Sequence, residues 1–274
     1  MPARRRRRKL IIDAHASVYP DELRLKIPKL FPGAVMFEDA SLPNMMREMD
    51  RARIEKSVLW AIPMDGESDC NTWISSLERK YPDRFIGFAT VNVTKGEDAA
   101  QKELERGIKE LKLHGLKIHP RQQRIKMNDP LVLSLAKRAH ELDIPLVFHV
   151  ASGDATIRAR RSQEEADDEA QYEKSTFLTD IIKVYDSHRV MAAHMGGVTN
   201  PAIQRSKISF QTAGCSVDTI EYAVKTVGED RIVFGSDYPF FSQYDEVAKV
   251  KAARISEQAK EKILSKNLER ILAR

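Results

Sequence analysis

Leu10-Ile11-Ile12-Asp13-Ala14-His15 is a short hydrophobic run that ends on polar side chains able to do chemistry. Five later segments repeat this pattern, with stretches between them long enough for helices: 115–119, 144–149, 190–194, 208–212 and 232–237. Strands that alternate with helices predict a parallel sheet. Polar residues at the ends of such strands are typical of a (β/α)8 TIM barrel, which carries its active site on that rim. We therefore expect an α/β enzyme.

Length and composition favour one domain. The chain has 274 residues, and no Gly/Ser-rich bridge divides it, so we expect a TIM-barrel domain over residues 10–274 after a basic, disordered arm over residues 1–9. No apolar run approaches the roughly 18 residues of a membrane span, and Asp13 interrupts the first run too early for a signal peptide. Cys70 and Cys215 form neither a metal-type pair nor a disulfide framework, which favours a cytoplasmic location.

The net charge of +5 comes from the arm, because Arg4–Arg8 and Lys9 contribute six positive charges and leave the rest of the chain near −1. Such an arm could contact nucleic acid or another polyanion. We favour a solvated tail instead, since no basic or aromatic face elsewhere extends it. We thus expect a small-molecule substrate, no membrane partner and no nucleic acid. Assembly into a homo-oligomer stays open.

Four histidines end predicted strands, namely His15, His119, His149 and His194, and Asp237 ends the last one. Histidine nitrogen and carboxylate oxygen are common ligands of a catalytic zinc, which usually keeps three protein ligands and one open position. His15, His149 and Asp237 would supply such a set if the barrel closes. The other histidines precede strands or lie late in helices, where we expect structural roles.

Seven short sequence motifs occur along the chain in the order found in one protein family: IDAH (12–15), YPDRFIGFA (81–89), GLKIHP (115–120), IPLVFH (144–149), AHMGG (193–197), FGSDYP (234–239) and NLERIL (267–272). The sequence resembles the amidohydrolase-related family (amidohydrolase 2 type) of the metal-dependent hydrolase superfamily, which contains hydrolases, lactonases and nonoxidative decarboxylases. The resemblance implies a catalytic metal on the barrel rim, ligand roles for His15, His149 and Asp237, and a water-activating or proton-transferring role for His194.

The first strand departs from this family in one position. The family usually has His-x-His there, whereas this chain has His15-Ala16-Ser17. A serine hydroxyl is a weak zinc ligand beside an imidazole, so we expect weaker metal binding. We expect one divalent ion, with zinc favoured. A metal-independent lactonase is the alternative, because some lactonases of the family work without metal. Whether His119 completes the metal shell stays open.

Lys117 and His119 are two residues apart in a predicted strand, so alternation places both on one side. We expect them to face the cavity and, with Ser17, to bind an anionic substrate. The arginines of nearby loops we expect to be solvated; they are Arg121, Arg124, Arg158, Arg160 and Arg161.

Our main functional prediction is a metal-dependent hydrolase of a small carboxylate-bearing amide, ester or lactone, in which Asp237 or His194 takes a proton from water. The alternative is a nonoxidative decarboxylase of a small aromatic acid, which would protonate the substrate carbon with similar residues. A noncatalytic binder that kept the barrel is a third hypothesis.

Overall fold

The computed structural model describes residues 10–27, 36–63, 69–154 and 162–273. Eight parallel strands follow one another around a single sheet, each paired with the next along the chain. They are β1 (Ile12–Ser17), β2 (Lys56–Trp60), β3 (Phe85–Thr90), β4 (Gly115–Ile118), β5 (Leu146–Phe148), β6 (Val190–Ala192), β7 (Ser209–Gln211) and β8 (Ile232–Val233).

Backbone hydrogen bonds between β1 and the segment that begins with β8 close the sheet. Ala14 N donates to Phe234 O at 2.9 Å, Asp237 N to His15 O at 2.8 Å, and Ser17 N to Tyr238 O at 2.8 Å. The predicted (β/α)8 barrel is therefore confirmed. We call this junction of the first and last strands the seam. The predicted arm, residues 1–9, lies outside the described residues, so the domain boundary at residue 10 stays a prediction.

Helices connect consecutive strands on the outside of the barrel. In the described part of the chain they are α1 (Asp21–Arg24), α2 (Leu42–Ala52), α3 (Cys70–Lys80), α4 (Glu97–Lys109), α5 (Pro130–Glu141), α6 (Gln163–Tyr172), α7 (Leu178–Val184), α8 (Pro201–Gln204), α9 (Val217–Val227), α10 (Gln243–Ala252), α11 (Glu257–Glu261) and α12 (Asn267–Leu272). Short 3-10 turns cover Val93–Lys95, Ser175–Phe177, Ala193–Met195 and Glu229–Arg231, and a π-helical turn covers Lys262–Lys266.

Ser41-Leu42-Pro43 and Asp129-Pro130 predict helix starts, because each places a capping side chain before a proline in the first turn. The structure has both caps: Ser41 Oγ accepts a hydrogen bond from Asn44 N before α2, and Asp129 accepts one from Leu131 N before α5. The helix ends are less regular. The apolar stripe of residues 97–112 predicts a helix of that length, but α4 ends at Lys109, and Lys112 has a left-handed φ of 63°. The sequence also predicts a helix over residues 175–186, which begins as a 3-10 turn and ends at Val184.

The barrel interior holds its own apolar cluster, separate from the larger core between strands and helices. Ile12 and Ala14 pack in the interior, but Ala16 packs in the outer core. The change follows from a register shift in β1 between Asp13 and Ala16, which is a β-bulge. Because side chains alternate along a strand, the bulge turns His15 and Ser17 toward the interior, where strict alternation from Ile12 would not place them.

The described helices include none that combines the length and the apolarity needed to cross a bilayer.

Candidate active site

The strand-end histidines converge on one rim, as the sequence predicts. Their rings form a continuous row: His15 lies 5.3 Å from His194 between centroids, His194 lies 4.5 Å from His149, and His149 lies 3.8 Å from His119. All four side chains are buried. Two groups within the row place their nitrogen and carboxylate atoms close enough to hold a metal ion. We call His15, His194 and Asp237 the seam group, and His119, His149 and Glu173 the stacked group.

Hydrogen bonds fix which ring nitrogens of the seam group carry protons. Gln211 Nε2 donates to Ala14 O at 3.0 Å, so its Oε1 must be the atom 2.7 Å from His15 Nδ1. His15 therefore donates through Nδ1. His194 likewise donates through Nδ1, to Ala213 O at 2.9 Å. In the neutral rings both Nε2 atoms then carry lone pairs.

Those lone pairs face a carboxylate. His15 Nε2 lies 3.2 Å from Asp237 Oδ1, and His194 Nε2 lies 4.0 Å from Asp237 Oδ2. Burial holds the pKa of His15 well below its usual value and lowers that of His194 to about 3, so both rings are neutral at pH 7. Three electron-pair donors thus share one buried site, which a cation would satisfy. The residues fit a divalent metal ion, and this N/O donor set suits several such ions, including zinc and manganese.

The Asp13 carboxylate bonds to both sides of the seam, next to His15 and to the residue before Asp237. Its Oδ1 accepts from His15 N and Ser236 N, both at 2.9 Å. Its Oδ2 accepts from Ser236 Oγ at 2.5 Å and from Gln243 Nε2 at 2.8 Å. Burial raises the pKa of Asp13 to about 6 although all four donors oppose the rise. One carboxylate therefore positions the backbone of His15 and the residue before Asp237.

His194 and Asp237 both have left-handed backbones, with φ of 55° and 60°. Residues with a Cβ rarely adopt this conformation, which costs about 1–2 kcal/mol each. Such strain is concentrated at functional sites, where the surrounding structure enforces it. Here it lets both side chains turn back toward the rim immediately after β6 and β8.

In the stacked group, one buried carboxylate meets two parallel imidazoles. The rings of His119 and His149 are 13° from parallel. Glu173 Oε1 lies 3.0 Å from His119 Nδ1, and Glu173 Oε2 lies 3.6 Å from His149 Nε2. Burial lowers the pKa of His119 to about 4 and that of His149 well below its usual value. Burial alone would raise the pKa of Glu173, but His119 and Arg121 keep it below its usual value, so the carboxylate is ionised.

Lys117 lies close enough to Asp237 and Glu173 to feel their charges, with its ammonium over an aromatic face. Its Nζ lies 4.8 Å from the ring centroid of Trp60 and has no hydrogen-bond partner among the described residues. Burial lowers its pKa to about 7, against the attraction of Asp237 and Glu173. Burying a cation without a hydrogen-bonding partner costs free energy. Such a group is typical of a functional site that binds an anionic ligand. Ser17 is also buried, and its hydroxyl donates to Tyr238 O at 3.3 Å.

Comparison with known families agrees with this geometry, since the amidohydrolase family model matches residues 12–274. The chain belongs to the amidohydrolase family. As a member it is an enzyme, and its family allows both hydrolysis and carboxy-lyase chemistry.

Several solved structures share the fold of this amidohydrolase. 5-Carboxyvanillate decarboxylase from Sphingomonas paucimobilis is 17% identical with a TM-score of 0.72, covering 97% of this chain and 99% of its own. A dihydroxybenzoic acid decarboxylase from Polaromonas sp. JS666, solved with bound manganese and 2-nitroresorcinol, is 18% identical with a TM-score of 0.72, covering 97% of both chains. 2,6-Dihydroxybenzoate decarboxylase from Rhizobium is 19% identical with a TM-score of 0.69, covering 96% of this chain and 98% of its own. At these identities the likeness shows the fold alone.

The structure brings six of the seven predicted residues together, but it groups them differently: His15, His119, His149, His194, Asp237 and Lys117. The seventh, Ser17, is buried and donates to Tyr238 O. The predicted metal set was His15, His149 and Asp237, whereas the seam group has His194 in place of His149. His149 Nδ1 lies 3.2 Å from His194 Nε2 and so borders the seam group. The predicted binding residue His119 instead contacts Glu173 and His149.

Two residues of this amidohydrolase site were missed from sequence. Gln211 ends β7 and could have been found by the same strand-end pattern that marked the histidines. Glu173 follows the charge-rich helix α6, and no local pattern distinguishes it from the exposed acidic residues of that helix, such as Glu164 and Asp167. Arg158, Arg160 and Arg161 lie outside the described residues, so the expectation that they are solvated stays a prediction.

Proposed function

We propose that this protein is a metal-dependent, nonoxidative decarboxylase of a small aromatic acid. The observation that carries the proposal is the buried ammonium of Lys117 on the face of Trp60, beside the seam group. An aromatic anion satisfies both features, since the cation binds its oxygen and the indole lies against its ring. Structures of similar fold that are decarboxylases of aromatic acids support the same substrate class. Our proposal therefore moves from hydrolysis to the alternative that the sequence left open.

The metal pocket that we propose is bordered by His15, Asp237, His194 and His149. A divalent ion held there would act as a Lewis acid that binds an oxygen anion of the substrate. The manganese in a similar structure supports a divalent ion, and zinc is one candidate among several. His194 Nε2 borders both this pocket and Asp237, so it suits either ligation or proton transfer. The metal content of a His194→Asn variant decides between these roles.

Asp237 is the catalytic acid of the proposed reaction, and its carboxylate first takes up a proton from solvent. Its carboxyl delivers a proton to the ring carbon that bears the carboxylate, and a new C–H bond forms. The bond from that carbon to the carboxylate then breaks, its electron pair restores the aromatic ring, and carbon dioxide leaves. Asp237 regains its proton from solvent, directly or through His194. One proton is consumed for each carbon dioxide released.

Lys117 binds an oxygen anion of the substrate other than the departing carboxylate. A cation paired with the departing carboxylate would stabilise charge in the ground state that is lost in the product, and so would raise the barrier. A phenolate or a second carboxylate on the ring avoids this cost. We keep His119 and Ser17 as further residues of the substrate pocket, His119 through its ring and Ser17 through its hydroxyl.

Hydrolysis of a carboxylate-bearing amide, ester or lactone is the second candidate. The observation that favours it is the contact of the Asp237 carboxylate with two neutral imidazoles, an arrangement that also suits removal of a proton from water.

A substrate panel separates the two reactions. Purified protein is incubated with hydroxylated benzoic acids and with lactones and esters, with and without added Mn²⁺ or Zn²⁺, while carbon dioxide and acid release are followed. We expect carbon dioxide from at least one hydroxylated aromatic acid, and its loss on chelation. Acid release from lactones without any carbon dioxide would favour hydrolysis. Full activity in excess chelator would contradict the metal requirement and leave the metal-independent reaction.

A further inference from the structure

The surroundings of Glu173 in the stacked group bear on which ring nitrogen of the neutral His149 carries its proton. Three polar atoms of this group have no well-aligned hydrogen bond among the described residues: His149 Nε2, His119 Nδ1 and Glu173 Oε2. All three side chains are more than nine-tenths buried. The backbone N–H of Arg121 donates to Glu173 Oε1 at 3.0 Å, and His119 Nδ1 lies 3.0 Å from the same oxygen. Glu173 Oε2 lies 3.6 Å from His149 Nε2 and 3.8 Å from Arg121 Nε.

A neutral His149 can carry its proton on either nitrogen. With the proton on Nδ1, the ring donates to His194 Nε2 at 3.2 Å, and the Nε2 lone pair then faces the ionised Glu173 Oε2. With the proton on Nε2, the ring presents N–H to that carboxylate, which is a charge-assisted contact in a buried place. The second arrangement removes the repulsion between a lone pair and an anion. It leaves the lone pairs of His149 Nδ1 and His194 Nε2 facing each other at 3.2 Å, an arrangement that a cation between them would stabilise.

We infer that Glu173 is a positioning residue that keeps the proton of His149 on Nε2, so that Nδ1 presents its lone pair toward the seam group. His119 shares the carboxylate through its Nδ1 and holds the His149 ring by stacking. Three imidazole nitrogens then point toward one pocket: Nε2 of His15, Nε2 of His194 and Nδ1 of His149. In this way the chain offers a third nitrogen although Ser17 stands where the family usually has its second histidine.

The geometry favours this arrangement over a second metal ion within the stacked group. Imidazole binds a metal along its lone pair, in the plane of the ring. The rings of His119 and His149 are nearly parallel and 3.8 Å apart, so an ion in the plane of one lies well out of the plane of the other. One carboxylate with two oxygens meets both rings without that conflict.

Nitrogen-15 NMR of metal-free, histidine-labelled protein tests the inference. The His149 resonances are assigned by their loss in His149→Ala. We expect a pyrrole-type signal from Nε2 and a pyridine-type signal from Nδ1. In Glu173→Gln an amide N–H can face the ring, so the proton should shift to Nδ1 or exchange between the nitrogens. Mn²⁺ and Zn²⁺ affinity, measured by chelator competition, should fall by about 10–100-fold, as is usual when a partner of a metal-bound histidine is lost.

Two controls separate positioning from general disruption. His119→Phe keeps a stacked ring but removes its N–H, so the His149 proton should stay on Nε2. Glu48→Gln changes another buried glutamate, whose partners are Ser242 Oγ and Arg51 rather than these rings, and it should change neither the His149 signals nor metal affinity.

The inference rests on the metal pocket of the proposed function, but the two can fail separately. A wild-type His149 protonated on Nδ1 would overturn the inference while metal binding stands. Two ions per chain, falling to one in Glu173→Gln, would also overturn it and favour a second cation site. The inferred proton on Nε2 together with no metal binding in the wild type would leave the role of Glu173 intact and refute the proposed metal.

Discussion

The seam group and the stacked group present the same kind of side chains in different surroundings. In the seam group the imidazole N–H groups donate to neutral acceptors: His15 Nδ1 donates to Gln211 Oε1, and His194 Nδ1 donates to Ala213 O. The Nε2 atoms then face Asp237. In the stacked group a charged acceptor, Glu173, lies against both rings.

The comparison shows that histidines alone do not define a metal site. What counts is which nitrogen keeps its lone pair and where that lone pair points. In the seam group the lone pairs of two imidazoles face the Asp237 carboxylate, so the group suits a cation. In the stacked group the inferred N–H of His149 faces the Glu173 carboxylate, so the group suits a supporting role instead. The following four variants test this difference.

Asp237→Asn should have the largest effect, because it removes the anion of the seam group and the proposed acid. We expect turnover to fall by about 10²–10⁴-fold, the usual contribution of a general acid or base. Asparagine tolerates the left-handed backbone at this position, so circular dichroism should report an intact fold. Turnover within tenfold of the wild type would contradict the assignment.

Lys117→Met should weaken substrate binding and stabilise the metal-free protein, since it removes the unpartnered cation between the two groups. Burial lowers the pKa of Lys117 to about 7 from 10.5, so the unfolded chain binds its proton more tightly. In the wild type, protonation of Lys117 therefore lowers the free energy of unfolding as pH falls from about 10.5 to 7. Lys117→Met removes this contribution.

Below pH 7 the gain in the free energy of unfolding should reach a plateau on the order of a few kcal/mol. Urea denaturation at pH 6, 8 and 9.5 measures it, with Lys80→Met on the surface of α3 as a control. An equal gain at every pH would mean that the Lys117 charge is not responsible.

Gln211→Leu tests the proton acceptors of the seam group. Leucine has a similar size but cannot accept the His15 N–H, so the ring loses its fixed tautomer. Metal affinity should fall by about 10–100-fold, as for other partners of metal-bound histidines. Gln101→Leu on α4, whose amide donates to Ser134 Oγ on α5, is a matched control. An unchanged dissociation constant for Mn²⁺ and Zn²⁺ would show that another contact orients His15.

Ser17→His should have the smallest effect and the opposite sign. An added imidazole beside His15 restores the pair that the family usually has, and we expect about tenfold slower metal loss to a chelator, a gain of about 1.4 kcal/mol. The release rate is followed with a metal-sensitive dye. If release is no slower, position 17 lies outside the metal shell, and its role as a substrate contact becomes the better hypothesis.

Much of the fold could be predicted because each strand ends where hydrophobic residues give way to polar ones. The caps at Ser41 and Asp129 are local signals, and they mark their helices correctly. The bulge in β1 was not predictable in this way, because it depends on how β1 pairs with β2 and not on the residues of β1 alone. Without it, alternation would place His15 on the wrong face.

The histidines, Lys117 and Asp237 were predictable as members of the site, but their grouping was not. Which histidine borders Asp237 depends on the backbone turns after β6 and β8, where His194 and Asp237 are left-handed. Glu173 escaped prediction because its burial results from tertiary packing after α6. A sequence shows which residues are able to bind or catalyse, whereas long-range packing decides which of them meet.

The Asp13 carboxylate also links formation of the candidate active site to the completion of folding. It joins β1 to the last strand of the chain, so His15 and Asp237 meet only after nearly the whole polypeptide has been placed. Contacts between such distant parts of a sequence form late and slowly, since the loop between them must first be ordered. A nascent or truncated chain that lacks β8 therefore has no seam group, whatever else it has built. Metal uptake during refolding should accordingly coincide with the final step and not precede it.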